Sequence, residues 1–313
     1  MVEWRRVLGW FSVVLCCCGV SVHAAESLSF EPVDRGFRLQ CGGQVLGEFG
    51  VGDEQVLRPY FSNLRSLDGV LLTRSHPPVQ GVDADDHATM HPGVWMGFGD
   101  LSGVDFWRNK GRMEFVRYVE DPTVLGGRLR WVVEHLLWGG EFELGRVTSS
   151  FEVWVGSGGW FLSWEMVFRA GPEGLVFGDQ EEMGFGVRVA TPLMEKRGGR
   201  IRNSQGMETA ATSWGQEAVW CDYSAEIEGR RFGVMSMVGA GNFRGSWWHN
   251  RNYGLMVANA FGREAMGQGG VSRVRVEAGG ELRLRYGAFF YGAEEGGVMD
   301  CESVYRSFLK AVP

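Results

Sequence analysis

Between Thr73 and Asn109 the chain gathers three of its six histidines, His76, His87 and His91, together with five aspartates and two tryptophans. Such a density of titratable groups is poor material for a core and good material for a site. Asp86-His87 and His91 set imidazoles beside a carboxylate, which is what proton transfer near neutral pH requires. An i, i+4 histidine pair on a helix would be half a metal site. Pro77, Pro78 and Pro92 argue against that helix, so the segment reads as a long ordered loop and no metal is expected there. A plainer reading is that these groups only pin the loop.

A second polar cluster runs from Gly178 to Arg188. Adjacent residues on a strand face opposite ways, so only one of Glu181 and Glu182 enters a shared pocket. Glu182 is the expected carboxylate, and a second carboxylate for acid–base work would come from another strand, as Asp86 or Asp105. The third cluster is Trp247 to Tyr253, with Asn259 beyond it. Read as a strand, it puts Trp247, His249, Arg251 and Tyr253 on one face. Sugars bind such faces, because their C–H surface stacks on rings while their hydroxyls take polar side chains. The alternative is that the tryptophans are core and Arg251 is a surface residue.

The acid–base candidates are therefore His87, His91, His135, His249 and Glu182. The ligand-holding candidates are Asp86, Asp105, Trp107, Asn109, Arg188, Trp248, Arg251, Tyr253 and Asn259. Neither a cofactor nor a metal is expected.

What must position these residues is a set of strands. Forty-eight glycines, about twice the usual share of roughly 7%, include pairs between apolar runs at Gly42-Gly43, Gly126-Gly127, Gly139-Gly140, Gly158-Gly159 and Gly279-Gly280. That is hairpin punctuation. Leu129, Trp131, Val133, His135 and Leu137 share one side of an alternating segment, and Phe151, Val153 and Val155 continue the pattern. Long antiparallel strands from Arg112 to Phe168 need a second sheet to cover their apolar face. A strand is expected at Val94 to Phe98, another beginning at Val104, and a hairpin from Arg273 to Tyr291 through Gly279-Gly280. Only Asp300 to Val312 has helical spacing. The expected fold is an all-β, large antiparallel two-sheet sandwich with a short C-terminal helix.

Arg5 and Arg6 followed by the apolar run Val7 to Val22 and by Val22-His23-Ala24 have the form of a signal peptide. Residues 1–24 are expected to be removed, leaving 25–313 as one β domain, periplasmic or secreted. An uncleaved anchor is the alternative, and the order of residues before Cys16 does not fit a lipidation signal. Without Glu3, Arg5 and Arg6 the chain keeps 37 acidic and 29 basic residues. That acidic balance gives it no electrostatic reason to seek nucleic acid or an anionic membrane. No other stretch has the roughly 20 apolar residues of a spanning helix. Cys41, Cys221 and Cys301, an odd number far apart, read as small buried hydrophobes rather than a disulfide framework.

With these clusters read, the chain resembles the PmoA-like family of exported bacterial proteins over almost all of its mature length. The resemblance rests on Arg58-Pro-Tyr-Phe, on Asp86-His-Ala-Thr-Met-His-Pro-Gly-Val-Trp95 and on Phe98 to Asn109. Glu182 to Arg188 and Trp248 to Asn259 complete it. Many relatives carry a compact Asp-His-Pro-His-His run; here Ala-Thr-Met separates His87 from His91, so a role tied to adjacent histidines does not carry over. The family label implies a methane-oxidising membrane subunit, which needs several spanning helices that this sequence lacks. The resemblance implies instead a sandwich of the galactose-mutarotase type, used by sugar epimerases, lyases and glycoside-binding domains, although fold does not fix function. The expectation is an exported protein that binds and processes a saccharide on a concave sheet face. A non-catalytic sugar-binding or scaffold module is the alternative, with a metal-dependent oxygenase behind both.

Overall fold

A computed structural model describes residues 27–293, 295 and 297–312; the expected signal peptide lies outside them. Two eight-stranded antiparallel sheets dominate the structure. The first runs in the spatial order Leu28–Val33, Gly36–Cys41, Gln44–Gly50, Tyr60–Ser62, Val94–Phe98, Met183–Arg188, Leu255–Asn259, Trp247–Trp248. The second runs Arg200–Asn203, Trp220–Ile227, Arg230–Val238, Glu281–Gly292, Gly159–Ala170, Phe142–Gly156, Arg128–Gly139, Gly111–Leu125. The all-β two-sheet sandwich expected from sequence is the fold. The helix expected at the C-terminus spans Cys301–Ala311, with the Asp300 side chain accepting from the Ser303 N–H as its cap.

Alternation along the strands sorts the side chains by face. Phe49, Phe61 and Phe185 of the first sheet interleave with Trp131, Phe151, Trp164 and Tyr286 of the second. The Trp131 and Phe151 rings stack at 4.8 Å, Phe49 meets Trp131 at 5.2 Å, and Phe185 stacks on Tyr286 at 5.6 Å. Burying each such ring removes 150–250 Å² from water, so this layer holds the sheets together. Part of the outer face of the second sheet is covered by the C-terminal helix, whose Val304 and Phe308 pack with Trp154, Phe161 and Phe289.

The first sheet has a second covered face, and it is this face that carries the polar clusters. Val94, Met96 and Phe98 join the inter-sheet core, while Trp95 belongs to a separate apolar group with Trp107, Leu255 and Val257. Likewise Met183, Phe185 and Val187 are core residues, so Gly184, Gly186 and Arg188 face the other way. Gly186 is glycine because the Trp95 indole lies on it: a Cβ there would sit 2.6 Å from the ring. The loop from Arg74 to Pro92 is laid over this face, and its backbone is tied down by buried side chains.

Two expected elements differ. Val104 begins no strand, because Leu101 and Val104 close a tight turn on each other. Arg273 to Tyr291 is not a hairpin: Val274–Val276 pairs with Leu175–Phe177, while Glu281–Gly292 pairs with Gly159–Ala170 and Arg230–Val238. Both segments alternate correctly, but alternation does not name a partner. The three cysteines of the described residues, Cys41, Cys221 and Cys301, are all buried.

Candidate functional site

The loop over the first sheet has almost no regular structure, so its carbonyls need donors from elsewhere. Two fully buried arginines supply them. Arg74 donates to the carbonyls of Ala84 (3.0 Å), Asp86 (2.5 Å), His87 (3.2 Å) and His91 (3.0 Å). Arg58 donates to Met90, Phe106 and Trp107 carbonyls and to Asn109 Oδ1 at 2.7 Å. A guanidinium presents five donors in a rigid fork, which suits it to gathering carbonyls from a folded-back chain. Burial pulls Arg58 down to about 9, against the opposing charge of Asp105, and pulls Arg74 down to about 10 with Arg188 adding repulsion.

Arg188, also fully buried, holds Asp86 with both arms, at 2.8 and 3.0 Å, and donates to His91 Nδ1 at 3.3 Å. Accepting at Nδ1 makes His91 the neutral tautomer with its proton on Nε2. Its ring stacks on Trp95 at 4.9 Å with 13° between planes and meets His87 at 4.9 Å. Burial, then the charges of Arg188, His87, Arg74 and Arg58, keep the His91 imidazole well below its ordinary range. Partial burial would raise Asp86, but the Arg188 hydrogen bonds and charge outweigh it, and the carboxyl lies below the usual range. His87, in the left-handed backbone region at φ 53°, gives Asp86 a further contact at 2.9 Å.

Tyr253 links this clamp to a hollow: the Arg188 guanidinium lies 4.6 Å from the Tyr253 ring centre. The hollow, of about 380 Å³, is lined by Arg108, Asp179 to Glu182, His249, Arg251, Tyr253 and Ala265. Glu181 approaches His249 Nδ1 at 2.8 Å and accepts from Arg251 at 2.5 Å. The Trp214 indole N–H lies 3.3 Å from the same His249 nitrogen. With a carboxylate at 2.8 Å, Nδ1 carries a proton and cannot accept from the indole, whose N–H serves Glu181 instead; in the neutral ring Nε2 then keeps the lone pair. The His249 hydrogen bond, against partial burial and with the His249 and Arg251 charges, lowers Glu181 below its ordinary range. Asp179 takes no part in such exchange, because it accepts the backbone N–H groups of Glu264, Ala265 and Ser272. A larger hollow of about 770 Å³ opens between Asp100–Val104, Phe142–Leu144 and Arg273. It holds no imidazole and no carboxylate–imidazole pair, so the smaller one has the better case for chemistry.

Of the expected residues, His249, Arg251, Tyr253 and Glu182 line this hollow. Asp86, His87, His91 and Arg188 form the adjoining clamp, and Asp105 pairs with Arg108, which also pairs with Glu182. Five others are elsewhere or occupied. His135 stands on the second sheet, buried, with Nε2 on the Val51 carbonyl at 2.9 Å; it shares the core side with Trp131, as its alternation requires. Trp248 is core and donates to the Ala218 carbonyl. Trp107 is fully buried beneath His91 and offers no open ring face. Asn109 bonds the Leu57 N–H, Arg58 and the Thr89 carbonyl. Asn259 bonds the carbonyls of Gln180 and Glu181 and the N–H groups of Phe261 and Gly262. Both are braces.

The expectation that one of Glu181 and Glu182 would turn away fails because the strand starts only at Met183. Both line the hollow, and it is Glu181 that meets the imidazole. Trp214 and Arg108 were legible as an aromatic and a charge, but nothing near them in sequence points to His249 or Glu182. The Trp247–Tyr253 run is not one strand either; it turns at Arg251, which bridges to Leu255.

The model of a family of unknown function, DUF6807, matches residues 37–296. No curated protein matches the sequence. Among solved structures, a galactose mutarotase-like protein from Lactobacillus casei aligns over 85% of this chain and 100% of its own, at 7% identity and a TM-score of 0.38. One from Clostridium acetobutylicum aligns over 86% and 99%, at 9% identity and a TM-score of 0.38. These likenesses are loose, and they bring no activity to this chain.

Proposed function

The chain belongs to DUF6807, a family of unknown function, and from that premise we propose that it binds an uncharged saccharide in the hollow beside His249 and acts on it by acid–base chemistry. The observation that carries the reading is the Glu181 carboxylate on His249 Nδ1 inside a polar hollow. Such a carboxylate fixes the ring and its tautomer and stabilises the imidazolium, so Nε2 can take a proton from a hydroxyl and return it. The arginines argue for a neutral ligand. Arg251 is paired with Glu181, Arg108 with Glu182 and Arg188 with Asp86. Of ligand hydroxyls or a carboxylate, either of which Arg188 and Arg251 could hold, the pairing favours hydroxyls at Arg251, while Arg188 is fully buried on Asp86. The charged-then-apolar segment 1–24 supports export as part of the same proposal.

A metal-dependent oxygenase, the activity implied by the PmoA-like resemblance, fits poorly. Ligand atoms of Asp86, His87 and His91 lie within 4.8 Å of one another. However, Arg188 occupies both Asp86 oxygens and His91 Nδ1, and Arg74 stands 3.8 Å from Asp86. Two fixed cations beside the donors oppose a third. No helix of the described residues is long and apolar enough to cross a membrane.

The test is a glycan array of neutral saccharides followed by a product assay on every hit. Glu181→Gln and His249→Gln should each lower turnover by about 10²–10⁴ while leaving binding within a few-fold. Binding with no product from the wild type would favour the second reading, a sugar-binding module. That reading has its own support in the mutual pairing of the arginines and carboxylates, which resembles a finished binding surface. An array without hits would remove both.

A further inference from the structure

A second hollow, of about 430 Å³, shares the Arg251 side chain with the first. It is lined by Glu195, Lys196, Ala211, Trp214, Asn250 and Arg251, among others. Trp214 joins the two: its ring lines the second hollow, its indole N–H meets His249 of the first, and the Arg251 guanidinium stands 5.8 Å from its centre. We propose that this second hollow is a subsite for the next unit of the same ligand, so that the substrate is a neutral chain of at least two sugar units lying across Arg251. The inference rests on the saccharide reading of the first hollow and extends it.

Two observations besides adjacency support it. Each hollow alone is near the lower end of the roughly 300–1,000 Å³ of small-molecule sites. The two meet at Arg251 and are linked by the Trp214 contact to His249, an arrangement that suits an elongated ligand better than a compact one. The second observation is an unmet acceptor. Asn250 is 1% exposed and its Oδ1 has no donor. Its orientation is fixed by its neighbours: Ser213 Oγ donates to the Thr209 carbonyl at 2.7 Å, so it must accept from Asn250 Nδ2 at 2.8 Å. A buried acceptor left bare is unfavourable; Asn250 Oδ1 lies behind the wall of the hollow, and it gains a donor if a sugar hydroxyl seated there draws the side chain outward. Lys196 and Glu195 supply one charge of each sign at the wall and Arg251 is paired with Glu181, so this hollow, like the first, has no preference for an anion.

The experiment is calorimetric titration of the full chain with glucose, galactose and mannose and with the α- and β-linked disaccharides of each. Wild type should bind at least one disaccharide about tenfold or more tighter than its own monosaccharide, the gain expected when a second unit is seated. Ala211 is exposed on the short Ala210–Ser213 turn, so Ala211→Trp fills the second hollow without touching the core. That variant should erase the disaccharide gain and leave the monosaccharide affinity within about twofold. Monosaccharides bound as tightly as every dimer, or a gain that survives Ala211→Trp, would overturn the subsite while leaving the first hollow intact. Failure of all these sugars to bind would instead bring down the saccharide reading, and this inference with it.

Discussion

Arg74 and His249 are both almost completely buried on the flank of the first sheet, and both are hydrogen-bonded, but to different ends. Arg74 gives its donors to four backbone carbonyls of its own loop, and Arg188 and Arg58 likewise fix Asp86, His91 and Met90. His249 holds one carboxylate and lies on the wall of a hollow. The first region is a clamp whose guanidinium arms are taken up by loop carbonyls and by Asp86, although the Nε atoms of its three arginines and His91 Nε2 stay buried without partners; the second sets an imidazole beside open volume. The difference shows that the density of histidines and aspartates marks where a loop must be held as readily as where chemistry is done. Shared Tyr253 means the clamp also shapes the hollow it borders.

The comparison is tested most severely at Arg188. Arg188→Ala leaves Asp86 and His91 without their buried donor and should cost about 3 kcal/mol, the low end for breaking a buried pair because Asp86 retains contact with water. Denaturant unfolding would measure it, and rapid proteolysis confined to residues 74–92 should accompany it. A loss near zero would mean that the clamp does not hold the loop.

Acid gives a smaller, graded effect. His91 and Asp86 both have folded pKa values depressed below their unfolded ones, about 6.5 and 3.9. Each therefore contributes stability that is present above the unfolded value and lost as pH falls toward the folded one. Thermal midpoints should begin to fall below pH 6.5 and fall more steeply below pH 4. His135, lowered by burial to about 4 despite its Val51 hydrogen bond, adds to the first decline. Asp222, raised by burial to about 6, runs the other way between pH 4 and 6. Asp222→Asn should thus steepen the first decline, and Asp86→Asn should flatten the second.

The smallest effect separates neighbouring carboxylates. Glu182 pairs with Arg108, whose side chain is partly in water, so Glu182→Gln should change stability by less than about 1 kcal/mol and leave turnover within a few-fold. Glu181→Gln, one residue away, should remove most of the turnover. Equal effects would dissolve the distinction drawn between these two glutamates.

Hydrophobic alternation and glycine pairs sufficed to set out the all-β sandwich, the long central strands and the closing helix, because a period of two is a local property of the chain. They also placed His135 beside Trp131, although that same alternation buries it in the core. The three polar clusters were visible as composition, and they do converge on one flank. Which of their members faces a hollow was decided by contacts between residues 68 and 102 positions apart: Glu181 with His249, Asp86 with Arg188. Strand pairing across the first sheet brings those residues together, and one register step would separate them. Sequence alone therefore determined the β content and the inventory of polar groups, but not every strand's partner, as Arg273 to Tyr291 shows. Only the folded chain determined which arginines would be consumed by carbonyls and which imidazole would border open space, because hydrogen-bond partners at such separations follow from packing and not from spacing.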